Sequence, residues 1–99
     1  FYGGSRHAIR ASKQQMLEHA AELKRIIEQS GQAIELIAVN QYYRGSCICK
    51  TDGRLYSFLI RDGLCRREYE FLGYGGDPWE SAPNLVKVED LELGQMELF

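Results

Sequence analysis

Residues 51–72 read TDGRLYSFLIRDGLCRREYEFL, and this stretch decides the fold. It contains Asp52-Gly53 and, further on, Asp62-Gly63. Asp-Gly is a preferred pair for two-residue hairpin turns, whose two central positions both need positive φ. Between the two turns, Arg54 to Arg61 alternates, with Tyr56, Phe58 and Ile60 on one face and Leu55, Ser57 and Leu59 on the other. Leu64 to Leu72 follows, with Cys65, Arg67, Tyr69 and Phe71 alternating against Arg66, Glu68 and Glu70. Tyr42 to Thr51 supplies a strand before the first turn. Strands joined by two such turns predict an antiparallel meander.

Upstream of the meander the period changes. From Ala33, Ile34, Leu36 and Ala38 fall on one face with Ile37 and Val39 opposite, so this strand is expected to be covered on both sides. Before it, Met16, Ala20, Leu23 and Ile27 follow helical spacing, broadened by Leu17, Ala21 and Ile26. Ser12 and Gln15 form a capping-box pattern at the start, and Gly31 provides the stop. Lys24 and Glu28 are spaced to pair along the helix. Downstream, Leu85-Val86-Lys87-Val88 has strand character. The expected fold class is therefore α+β, with one long N-terminal helix packed on an antiparallel meander sheet of about four or five strands.

The ends of the chain read differently. Residues 1–11 form an expected basic arm with Arg6, His7 and Arg10, residues 12–88 a single α+β domain, and residues 89–99 a flexible acidic C-terminal tail. The chain opens on Phe1 rather than Met, so a trimmed, cut or cloned N-terminus is expected. From Asp77 onward Asp77, Glu80, Glu89, Asp90, Glu92 and Glu97 face Lys87 alone, while the whole chain carries −2. That asymmetry marks an interaction tail. Gly94 is read as a backbone break before Gln95.

Several function classes lack their chemistry. The serines lie in no nucleophile-elbow pattern. His7 and His19 are the only histidines, and His19 reads as a solvated or partly packed helix residue. Asp52 and Asp62 are explained by their turns, and no rigid carboxylate pair suits acid–base work. Cys47, Cys49 and Cys65 do not space as a zinc site. An odd number of cysteines without a signal peptide fits buried free thiols in a reducing cytoplasm. No apolar run has membrane-spanning length. The expectation is a non-enzymatic cytoplasmic protein with no cofactor, no metal and no membrane partner.

The last five residues, Gln95-Met96-Glu97-Leu98-Phe99, resemble the short peptide by which bacterial replication and repair proteins hold the DNA sliding clamp. That peptide reads Gln, an aliphatic residue, a small or acidic residue, Leu, then Phe, and often sits at a chain terminus. The resemblance implies that Leu98 and Phe99 fill a deep apolar pocket, Met96 packs along the groove and Gln95 hydrogen-bonds in a second subsite. Its implied role is a replication or repair accessory, or an inhibitor of phage or plasmid origin, with the clamp as partner. The other 94 residues show no family resemblance.

A second signal is basic and aromatic. Arg44, Arg54, Arg61, Arg66 and Arg67 interleave with Tyr42, Tyr43 and Tyr56, with Lys50 and Tyr69 nearby. A sheet presenting arginines beside tyrosines can bind phosphates and stack bases of DNA. A sequence pI near 5.7 argues against a dedicated nucleic-acid binder. The competing readings are cross-strand packing of the tyrosines with solvated arginines, a plain protein–protein adaptor, and an apolar tail folded back on its own domain.

Overall fold

A computed structural model describes residues 10–72 and 78–96, with the side chains of 94–96 left out. Residues 1–9 with His7, residues 73–77, and Glu97, Leu98 and Phe99 lie outside the described residues. The element order is α1 (Lys13–Ser30), β1 (Glu35–Asn40), β2 (Ser46–Thr51), β3 (Arg54–Arg61), β4 (Leu64–Glu70), a 3-10 turn (Pro78–Ser81), β5 (Leu85–Lys87) and α2 (Val88–Met96). All five strands join one antiparallel sheet in the order β4-β3-β2-β1-β5. The fold is α+β, with the long helix close to the start of the chain and a five-stranded antiparallel sheet.

The local signals act as expected. Ser12 caps α1: its Oγ accepts from the Gln15 amide at 3.1 Å, and the Gln15 side chain accepts from the Ser12 amide at 2.9 Å. The helix ends at Gly31, in the left-handed region at φ 73°. Both Asp-Gly pairs close hairpins with positive φ at each central residue, 55° and 75° at Asp52-Gly53 and 52° and 76° at Asp62-Gly63. These turns fix the registers Thr51↔Arg54 and Arg61↔Leu64.

Met16, Ala20, Leu23 and Ile27 of α1 are buried against Leu36, Val39, Cys47, Cys49, Phe58 and Ile60 of the sheet. Burying a side chain of this size stabilises by roughly 1.5–3 kcal/mol. Ala38 and Ile48, which pair with each other, occupy the opposite face and are buried too. The 3-10 turn (Pro78–Ser81) lies in the chain between β4, at one sheet edge, and β5, at the other. Trp79 packs on Phe71 with ring centroids 5.1 Å apart, and Lys87, paired with Ala38, lies over the Trp79 ring at 5.3 Å. Trp79 thus lies on the sheet face that carries Ala38.

Four details differ from the sequence reading. First, the register slips between Leu36 and Ala38, so Leu36 and Val39 share the helix-covered side and simple alternation fails. A bulge adds one residue to one strand and so shifts facing by one. Second, the strand expected from Tyr42 begins at Ser46. Asn40 Oδ1 accepts from the Tyr42 and Tyr43 amides at 2.8 and 3.0 Å, and this side-chain turn replaces ladder bonds. Third, Lys24 pairs with Glu92 of α2 rather than with Glu28. Fourth, the boundary expected at Val88 falls at the start of a helix that continues through Gly94 to Met96. Val88 and Leu91 of α2 are core residues, 5% and 3% exposed. The acidic segment is therefore docked at least as far as Leu91.

Gly45, between Tyr43 and β2, sits at φ 90°, and a Cβ there would lie 2.6 Å from the Ile60 carbonyl oxygen. Gly53 has similar φ but open space around it. Gly53→Ala is expected to cost about 1 kcal/mol from backbone strain alone. Gly45→Ala adds a backbone clash, for a total of about 2–4 kcal/mol. Urea unfolding of the two variants measures the difference, and equal losses would contradict the packing at Gly45.

Candidate functional site

The arginines and tyrosines singled out by the sequence do not form one patch. Three of them, Tyr43, Arg44 and Arg61, come together at one end of the sheet. The β1–β2 connection there meets the β3–β4 hairpin and α1. With His19, Glu22 and Asp62 they line an open cleft of about 370 Å³. Tyr43 keeps 53% of its surface exposed. Arg44 donates to Glu22 of α1 at 2.7 Å, which fixes its guanidinium over the helix. Tyr42 is half-buried in the same connection.

The others are dispersed. Arg67 lies over the Tyr56 ring at 4.9 Å, on the helix-covered side of the β4 edge, as its pairing with Phe58 requires. Its neighbour Arg66 pairs with Leu59 and so takes the opposite face. Arg54 reaches Glu70 at 3.8 Å near the β2–β3 turn. Adjacent strand residues alternate faces, so Arg66 and Arg67 cannot contact one straight phosphate backbone from one surface. The cross-strand packing reading fits Tyr56 and Arg67, and the exposed corner keeps Tyr43 and Arg61 available.

His19 is the residue the sequence misjudged. It is 4% exposed, and its Nε2 accepts from the Gly45 amide at 3.2 Å. It lies three residues after Met16 and four before Leu23, on the apolar stripe of α1, and that spacing is the signal that could have found it. Its bond ties the Tyr43–Gly45 segment to the helix, while the Gly45 carbonyl accepts from the Ile60 amide at 2.8 Å. Burial holds the His19 pKa below its ordinary value and the Arg44 charge adds to this, with Glu22 opposing.

The thiols are structural. Cys47 and Cys49 share a strand face with Sγ atoms 3.8 Å apart, and the Cys47 thiol also reaches the Phe58 carbonyl. The contact with Cys49 and burial raise the Cys47 pKa, which keeps the thiol protonated and unreactive. All three cysteines are free, with Cys65 half-buried. Among the described residues no cluster of three His, Cys, Asp or Glu side chains could hold a metal ion. No helix there is long and apolar enough to cross a membrane.

A larger groove of about 660 Å³ runs between α1, the start of β1 and α2, with Ile27, Ile34 and Val88 in its wall. None of the sequence-selected residues lines it. Of the C-terminal peptide, Gln95 and Met96 form the end of α2. Among the residues whose side chains are described, Leu91 is the last that is buried, followed by the surface pair of Glu92 with Lys24. No family model, curated protein or solved structure matches the chain.

A neutral His19 accepts the Gly45 bond through Nε2, so protonation there removes it. Because the folded pKa is lowered, the stability it supports is present above the ordinary value of about 6.5 and is lost as pH falls through and below it. His19→Gln is expected to flatten that slope. Denaturant unfolding between pH 7.5 and 5 checks this, and an unchanged slope in the variant would refute the assignment.

Proposed function

We propose that this protein is a non-enzymatic accessory or inhibitor that binds the bacterial DNA sliding clamp through Gln95, Met96, Leu98 and Phe99. The observation that carries the reading is the peptide sequence itself, which follows the buried Leu91 along the chain. Leu91 is buried, and the helix that holds it ends at Met96.

Two large apolar anchors dominate the affinity of such a peptide. Leu98 and Phe99 supply the buried area, and Met96 adds to it. Glu97 contributes little. Ordering a short segment offsets part of the contact energy, so affinity near the micromolar range is expected.

The exposed corner of Tyr43, Arg44 and Arg61 supports a secondary role. A chain tethered to a clamp is held beside DNA, and a weak aromatic and basic contact then gains from high local concentration. Glu22 and Asp62 line the same cleft and offset its positive charge, so the contact has little affinity on its own. Arg61→Glu is expected to lower DNA retention of the clamp-bound protein at low salt and to leave clamp binding unchanged. Equal retention by this variant would remove the corner from the account.

The direct test of the main reading is calorimetric titration of a purified bacterial clamp with the full chain and with the peptide of residues 90–99. Changing Leu98 and Phe99 together to Ala is expected to reduce binding at least a hundredfold and to leave the melting temperature within about 2 °C of the parent. Absence of binding by the peptide would reject clamp recognition. A sharp fall in melting temperature would assign the two residues to the domain's own core.

A further inference from the structure

We infer that the groove between α1, the start of β1 and α2 is a docking site for a short cationic peptide that adds to β1 as an extra strand. The inference uses no residue of the proposed clamp peptide. β5 pairs with β1 only at Ala38, Val39 and Asn40, and its run ends at Lys87. The chain then turns into α2 at Val88. β1 begins earlier, at Glu35. Among the described residues, Glu35, Leu36 and Ile37 therefore have β2 on one side and no strand on the other. The outward backbone groups of such an edge offer a ladder to an extended segment.

The open edge coincides with a cavity. Glu35, Leu36 and Ile37 all line the groove of about 660 Å³. A volume of this order is enough for a few side chains. Buried Ile27 and Val88, with half-buried Ile34, form its apolar wall. Successive side chains of an added strand point to opposite faces. One set then meets this wall while the other is turned away from it. The free edge from Glu35 to Ile37 is about 10 Å long at strand rise, which suits a short segment.

Charge selects the occupant. Lys24, Glu28, Glu35, Lys87, Glu89 and Glu92 line the groove. Lys24 is paired with Glu92, and Lys87 lies over the Trp79 ring. No ion pair among the described residues reaches Glu28, Glu35 or Glu89, and all three are exposed. Their carboxylates leave the rim negative, which attracts a basic segment and disfavours an acidic one. The fitting partner is an extended stretch in which Lys or Arg alternates with a β-branched residue.

The test titrates the full chain to millimolar concentration with a synthetic peptide of alternating lysine and valine. Chemical shifts and amide exchange are read by NMR. The peptide is expected to slow exchange at the outward amides among Glu35, Leu36 and Ile37 and to shift Ile27, Ile34 and Val88. A glutamate–valine counterpart is expected to bind at least tenfold more weakly. Methylating alternate backbone nitrogens of the lysine–valine peptide removes ladder donors and is expected to weaken it by about tenfold. Glu28→Gln combined with Glu89→Gln is expected to weaken binding about fivefold and to leave the melting temperature within about 2 °C of the parent. Equal binding by a lysine–glycine peptide, or no slowing at Glu35–Ile37, would reduce the effect to bare charge attraction and overturn the site. Slow exchange of the same amides in the free chain would also overturn it. Sedimentation then tells which occupant is already there, a second copy if the chain is a dimer and the chain itself if it is a monomer.

Discussion

Ala38 and Val39 are neighbours on β1, and both are fully sealed from water. Adjacent strand residues point to opposite faces, so the sheet must be covered on two sides by a chain of 99 residues. The remaining architecture follows from this demand. The helix-covered side is closed by α1 and completed by Val88 and Leu91 of α2. On the other side the 3-10 turn (Pro78–Ser81) places Trp79 against both Phe71 and Lys87.

Local chemistry was legible wherever it acts on its own. Ser12 with Gln15, Gly31, and the two Asp-Gly pairs specify caps and turns through their own backbone preferences, and β3 runs from Arg54 to Arg61 as its alternation requires. Features that depend on a partner strand or a distant element were not legible. The slip between Leu36 and Ala38 comes from pairing with β2, and no residue type announces it. The acidic run after Val88 reads as solvated because only Val88 and Leu91 share a helical spacing there, too short a stripe to predict docking. The dispersal of the selected arginines over two sheet faces follows from a rule already in the sequence. Arg66 and Arg67 are adjacent on a strand and had to face apart.

His19 illustrates how a polar residue can organise a surface from below. It lies in the apolar stripe of α1 and accepts a bond from Gly45, whose left-handed conformation and contact with the Ile60 carbonyl admit no side chain. The corner carrying Tyr43, Arg44 and Arg61 is held by that contact and by the Arg44–Glu22 pair. Its position is thus set by the buried His19 contact and the surface Arg44–Glu22 pair, while Tyr43 stays exposed.

Leu91 is a core residue of the domain, and the proposed clamp peptide follows it along the chain. Amide hydrogen exchange, read residue by residue with and without a bacterial sliding clamp, tests this proposal most directly. Added clamp is expected to slow exchange at Met96, Glu97, Leu98 and Phe99 and to leave Leu91 and the sheet amides unchanged. Unchanged exchange at those four residues, or loss of protection at Leu91 on clamp addition, would contradict it.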